Sequence, residues 1–282
     1  MAHLEKAQTL KIQEEEKNEQ CFLKGEKDQD LGVYCDILSA KSKIEGQDGG
    51  VVTSLLLKGF NERLFDAAVV VRQMEGYSAK AVIARNKEDI LAARGTIYLK
   101  VNVTQKLKEL INQGKKRIAI VCTPCEASAV RKIQHTIGND YEITVIGLFC
   151  FRAFNPKRLK EKVKQHLNID LDKTTKTQVY KGKFTAIFNC REFSCKVKDL
   201  DSASEVFCAF CDDFVSRLAD VSVGSVGSRE NYSTVIVRSP IGGRLLKNHE
   251  FTVGRIDTKE IIRLAQFKRE HSKKNVSELK KR

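Results

Sequence analysis

The sequence predicts an α/β protein: a mixed, largely parallel sheet flanked by helices, with a small inserted antiparallel subdomain and glycine-bearing loops. Two observations carry this. Between residues 104 and 150, helical and strand periods alternate with short connections, the pattern of a right-handed crossover in a mostly parallel sheet. Further on, KGKFTAIFNCREFSCKVKDL reads as a small antiparallel pair in the middle of the chain.

Residues 1–45 are mixed and charged, hold no sustained period, and predict an N-terminal extension or edge segment. QDGG at 47–50 punctuates the chain, and VVTSLLLKGFNERLF behind it has the apolar spacing of a helix packed on a sheet. DAAVVVRQ and AKAVIAR are strand candidates, KEDILAARG a short helix closed by Gly95, and TIYLKVNV an extended or loop segment. TQKLKELINQG predicts an amphipathic helix with Leu107, Leu110 and Ile111 on one face, a start near Thr104 and a stop at Gly114.

KKRIAIVCTPC gives a charged approach, a buried strand and a turn; CEASAVRKIQ continues as a helix, and YEITVIGLFC is the next strand. If the strands ending at Val121 and Phe149 are parallel neighbours, Cys122, Cys125 and Cys150 emerge near the carboxyl ends, where open sheets place their ligands. NPKRLKEKVKQHLNI predicts a basic helix capped near Asn155 with Pro156 at an early position. LADVSVGSVGS and STVIVRSPIGG return to strand character with glycine-bearing loops, and RLLKNHEF and IIRLAQFKREHSKKNVSELKKR finish as helices. The expected division is an extension over 1–45, a core over 46–245 with a variable insert near 151–206, and a basic helical tail over 246–282.

The chain has 282 residues, 41% hydrophobic and 30% charged, which suits a globular protein with a substantial core. No run approaches the roughly 18 apolar residues of a membrane span, and the polar first twenty residues are unlike a signal peptide, so a cytoplasmic location without a membrane span is expected. A formal charge of +14 fits a nucleic acid, a polyanionic small molecule or an acidic partner. Without tryptophan, and with little aromatic and basic alternation, a stacking nucleic-acid platform is disfavoured, and no nucleic-acid partner is expected. Nine cysteines, an odd number, with no export signal point to reduced thiols.

Cys208 and Cys211 form a Cys-x-x-Cys pair, which serves zinc, a redox dithiol or an iron–sulfur cluster. Taken with Cys122, Cys125 and Cys150, each beside an apolar run and a loop, the pair suggests a thiolate site drawn from scattered segments. A zinc-bound binding module without enzymatic activity is the competing reading. No GxGxxG fingerprint is present, which disfavours a nicotinamide dehydrogenase.

QDGGVVTSLLL, DAAVVV, ARGTIY, IAIVCTPCEASAVRKIQ, VIGLFCFRAF, CAFCDDFVSRLADVSVGSVGS and STVIVRSPIGG occur in an order and spacing that resemble the coenzyme F420 hydrogenase/dehydrogenase beta-subunit family, over roughly residues 45 to 245. The resemblance implies an F420-dependent oxidoreductase subunit with cofactor-binding loops, a bound flavin, FAD rather than FMN, and one 4Fe-4S cluster. It maps the cluster ligands onto Cys125, Cys150, Cys208 and Cys211, with Cys122 a neighbour. It points the flavin to Gly49 and Gly50, to Arg94, Gly95, Thr96 and Tyr98, and to Ser225, Gly227 and Ser228. Coenzyme F420 is the implied substrate, exchanging a hydride with flavin, while the cluster exchanges single electrons with a partner. The implied partner is a larger redox complex: a hydrogenase, a formate dehydrogenase, a heterodisulfide reductase or an F420H2 dehydrogenase. Ferredoxin or another carrier in place of F420 is the alternative.

F420 carries a phosphodiester and glutamate carboxylates, and Arg131, Lys132 and the NPKRLKEK helix are candidates to meet that tail, with a solvated charged face as the equal alternative. His135 and His166 are expected at the surface of helices, and no histidine is given an acid–base role. Cys190 and Cys195 are expected to be buried.

Overall fold

The computed structural model describes residues 26–281. Strands β1 (Glu26–Asp28) and β2 (Gly32–Tyr34) form a hairpin of their own, and β3 (Asp36–Lys41) enters the main sheet. Helix α1 (Val51–Asn61) leads to β4 (Ala67–Met74) and β5 (Ser78–Ala84), then α2 (Lys87–Ala92) and α3 (Thr104–Asn112). The crossover unit is β6 (Arg117–Cys122), α4 (Pro124–Ile137) and β7 (Glu142–Leu148). Helix α5 (Pro156–Leu167) precedes a separate three-stranded antiparallel sheet of β8 (Lys176–Tyr180), β9 (Lys183–Phe188) and β10 (Arg191–Lys196). The chain returns through β11 (Val221–Gly224), β12 (Ser233–Val237), α6 (Pro240–Leu246), β13 (Thr252–Gly254) and α7 (Thr258–Lys280).

The main sheet has eight strands in the order β13-β3-β12-β11-β7-β6-β4-β5. Its middle, β11-β7-β6-β4, is parallel, and antiparallel strands extend it on both sides. β6 and β7 are the expected parallel neighbours, with Cys122 opposite Gly147, so Cys125 and Cys150 both lie just past the carboxyl ends of adjacent strands.

Side chains alternate between the two faces of these strands, as strand geometry requires. Ala119 and Val121 pack with Val51, Leu55 and Leu56 of α1; Ile118 and Ile120 pack with Leu107 and Leu110 of α3 and Val130 of α4. A third cluster, built on Phe154, Leu159, Val163 and Phe184, holds the inserted sheet, and a fourth seats Ile261 and Ala265 of α7 beside Phe214 and Val215.

Several elements match the expected signals. Asn155 caps α5 through a hydrogen bond accepted from the Arg158 amide, with Pro156 in the first turn. Leu107 and Leu110 are fully buried on α3, and Gly114 follows it at φ 74°. His135 and His166 are exposed.

Other elements differ. Residues 36–41, within the segment expected as an extension or edge, form β3, which lies inside the sheet between β12 and β13; residues 1–25 lie outside the described residues. SPIGG is a helix start rather than a loop: Ser239 accepts a hydrogen bond from the Gly242 amide, and Pro240 occupies the first turn of α6. The last helix is no simple tail, because its N-terminal half packs into the core. Among the described residues, no helix is long and apolar enough to cross a membrane.

Candidate functional site

A cavity of about 1750 Å³ opens at the carboxyl ends of the parallel strands, lined by Val121, Cys122, Leu148, Cys150 and Gly224 among others. Three loop systems close around it: the turn before α1, the segment between α2 and α3, and the loop after β11. Gly50, Arg94, Gly95, Thr96, Tyr98, Ser225, Gly227 and Ser228 all line it.

Gly49 does not face the cavity. Its amide donates to Ser233 Oγ at 3.1 Å, and a Cβ there would come within 2.4 Å of the Ala40 carbonyl oxygen, so its role is to let the turn pass close to β3. Gly50 adopts φ 66°, a left-handed conformation that glycine takes without steric cost, and leads directly into α1. Tyr98 ties the rim to the inserted sheet, its hydroxyl oxygen accepting from the Val179 amide at 2.8 Å. Burial holds the Tyr98 phenol well above its ordinary range, so it is protonated at neutral pH. Burial also raises the Asp48 carboxyl on the same wall, with the Lys176 ammonium opposing.

The basic surplus meets the cavity at positions the sequence did not single out. Arg152, Lys181, Lys198, Arg229, Arg255 and Arg263 line it, whereas Arg131, Lys132 and the NPKRLKEK helix do not. Arg131 is 2% exposed and lies 2.8 Å from the equally buried Asp220, so it is an internal cross-brace and not an anion contact. Lys132 is exposed on the outer side of α4.

Beside the cavity, four of the expected cysteines come together. Cys125 sits in the first turn of α4, directly behind Pro124. Its sulfur lies 3.3 Å from Thr123 Oγ1 and 3.6 Å from Lys100 Nζ, which also pairs with Glu126 at 3.2 Å. Cys150 follows β7, its amide donating to the Phe214 carbonyl at 2.9 Å. Cys208 and Cys211 occupy a 3₁₀ turn and its end, and the Ala153 amide donates to Cys208 Sγ at 3.3 Å.

Cys150 lies within electrostatic reach of the other three thiols. Burial pushes the Cys150 thiol up to about 12, the Lys268 ammonium opposes this, and the charges of Cys208, Cys211 and Cys125 add to it. Burial likewise raises Cys211, against Lys268. Among the described residues, no three His, Cys, Asp or Glu side chains converge as tightly as a single ion needs. Cys125, Cys150, Cys208 and Cys211 match in number and type the four thiolates that an iron–sulfur cluster takes.

Cys122 is 2% exposed and packs in the apolar core under α4. Cys190 differs from expectation: it is exposed in the β9–β10 turn at φ 57°, because the tight hairpin turns its backbone outward. Cys195 is partly buried on β10 against the third core cluster. Sequence reasoning missed Lys268, which lies 4% exposed on α7 beside Cys150 and Cys211. Its signal was a lysine on the same helical stripe as Ile261 and Ala265.

Residues 115–263 match the family model for the C terminus of the coenzyme F420 hydrogenase/dehydrogenase beta subunit, and residues 37–108 match the model for its N-terminal part. Coenzyme F420-dependent sulfite reductase from Methanocaldococcus jannaschii is 33% identical over 253 residues, 84% of this chain but only 40% of that protein. Coenzyme F420 hydrogenase subunit beta from Methanothermobacter thermautotrophicus is 30% identical over 269 residues, covering 88% of this chain and 95% of the relative. A chain of the F420-reducing [NiFe] hydrogenase complex from Methanosarcina barkeri superposes with a TM-score of 0.85 at 30% identity, covering 90% of this chain and 94% of that one. On both family matches and on end-to-end similarity to a hydrogenase subunit, the chain belongs to the coenzyme F420 hydrogenase/dehydrogenase beta-subunit family.

Proposed function

We propose that the chain is an electron-transfer oxidoreductase subunit that exchanges a hydride between coenzyme F420 and a bound flavin, FAD, and passes single electrons through one 4Fe-4S cluster to or from a partner subunit. One observation carries this reading: Cys150 belongs both to the wall of the large cavity and to the four-thiol group, so the two sites adjoin at a single residue. The cavity, about 1750 Å³, exceeds the roughly 300–1,000 Å³ of an ordinary ligand pocket, which leaves room for a dinucleotide and a second ring system.

When bound, a flavin supplies the conversion between hydride transfer and one-electron transfer that F420 and a cluster need between them. The chain's own residues supply position and charge. Gly95, at positive φ, leaves the cavity wall open, since a Cβ there would meet nothing within 4 Å. At Gly50 and Gly227 a Cβ would strike the Ile44 carbonyl and the Ile261 side chain, so those glycines let the loops pack closely. Arg152, Lys181, Arg229 and Arg255 give the wall positive charge for phosphates and carboxylates. Cys125, Cys150, Cys208 and Cys211 hold the cluster, with Lys100, Lys268 and the Ala153 amide set against the thiolate charge. Exposed Val206 and Phe207 stand directly before Cys208 and offer an apolar spot for a partner where electrons would leave.

The test is rapid mixing of anaerobic protein with reduced F420, followed by flavin absorbance and low-temperature paramagnetic resonance. Flavin bleaching and then a cluster signal are expected; in C208S, bleaching should persist without the cluster signal. A flavin-loaded chain that does not respond to reduced F420 but is reduced by ferredoxin would replace F420 with another carrier.

A further inference from the structure

Helix α7 buries Ile261, Ala265, Lys268 and Ser272, a spacing that keeps one face turned inward over three turns. The first two are apolar and pack in the fourth core cluster. The stripe then turns polar where it meets the cysteines. Lys268 Nζ donates to the backbone carbonyls of Cys150 at 2.5 Å and Asp213 at 2.7 Å. One turn on, Ser272 Oγ donates to the Phe210 carbonyl at 2.9 Å, and Asn275 Nδ2 donates to the Ala209 carbonyl at 2.8 Å. Three side chains on successive turns of one helix thus fasten the loop that carries Cys208 and Cys211, and the first also fastens the Cys150 backbone.

A buried ammonium is costly, and carbonyl groups alone could be satisfied by a neutral donor of the kind found at Ser272 and Asn275. The difference at position 268 is charge, and it lies beside the thiols of Cys150 and Cys211. We propose that Lys268 is a positioning residue that also sets the reduction potential of the four-cysteine centre, while Ser272 and Asn275 fasten the loop without affecting the potential. Reduction adds one electron to a centre already made negative by its thiolates, and a fixed cation beside it favours that uptake. The inference rests on the cluster reading of those cysteines and assigns this chain's C-terminal helix a part in it.

The test compares wild type, K268M, K268R and the double variant S272A/N275A, all purified anaerobically. Iron per chain, the rate of iron release to a chelator and the midpoint potential in a redox titration are measured for each. K268M is expected to hold iron but to disfavour reduction roughly tenfold, a fall of about 59 mV for one electron. K268R should stay close to wild type, and S272A/N275A should release iron faster at an unchanged potential. If K268M loads no iron while K268R does, the charge is needed to assemble the centre rather than to set its potential, and the proposal is overturned. An iron-loaded K268M at the wild-type potential overturns the proposal, as does loss of iron from both K268M and K268R while S272A/N275A stays loaded, which would mark a packing requirement. A wild-type chain that takes up no iron removes the four-cysteine reading itself, and the role of Lys268 falls with it.

Discussion

The guanidinium of Arg131 and the carboxylate of Asp220 lie 2.8 Å apart, each side chain 2% exposed. Arg131 also donates to the carbonyls of Leu218 and Ile143, and Asp220 accepts from the Val145 amide and the Ser239 hydroxyl. The pair therefore joins α4, which begins at the Cys125 turn, to β7 and to the start of α6. Removing one member leaves the other charged and buried, a loss of about 3–5 kcal/mol. R131M should lower unfolding stability in urea by that order, and a change near zero would show that the pair is not a structural brace.

Adjacent glycines in α6 should respond in opposite directions. A Cβ at Gly242 would lie 2.2 Å from the Asp220 carbonyl oxygen, whereas one at Gly243 would meet nothing within 4 Å. G243A should stabilise the chain by about 0.5–1 kcal/mol, since alanine restricts the unfolded chain and favours helix. G242A should destabilise it, because the helix must shift away from the strand to admit the methyl group. Thermal melts of the two variants side by side check both signs.

Among cysteine variants, serine at 125, 150, 208 or 211 should each reduce bound iron from about four per chain. C122A, C190S and C195S should retain it. C122A should cost stability instead, since Cys122 is packed in the core. Iron and acid-labile sulfide assays on the series separate ligands from neighbours.

The metal-free chain should lose stability in alkali. Cys150 is raised to about 12 in the folded chain, mainly by burial, against about 8.5 for a free thiol. Its contribution is therefore fully present below about pH 8.5 and lost as pH rises toward about 12, where the unfolded chain ionises more readily. Urea midpoints of the metal-free protein at pH 7.5 and pH 10 should fall with pH. The fall should be smaller in C150A, and equal falls in both proteins would assign the effect elsewhere.

The crossover unit was legible in the sequence because its signals are local. Branched residues mark β6 and β7, a 3.6-residue period marks α4, and the short connections force the parallel pairing that brings Cys125 near Cys150. β3 was not legible, because its pairing partners β12 and β13 come from the far end of the chain. The glycines of SPIGG obscured a helix start that Ser239 and Pro240 in fact signal. For the site, family motifs drew attention to loops that line the cavity, but they could not separate Gly50, which lines it, from Gly49, which faces β3. Nor could composition show which cations are internal: Arg131 pairs with an aspartate distant in sequence, while Arg229 and Arg255 line the cavity.

The most direct measurement is the cofactor content of anaerobically purified protein: iron, acid-labile sulfide, zinc and flavin per chain, with an absorbance spectrum before and after reduced F420. The expected result is about four irons and one flavin, FAD on acid release, with the flavin band bleached by reduced F420. Zinc in place of iron, with no flavin, would contradict the redox reading and return Cys208 and Cys211 to a structural clip.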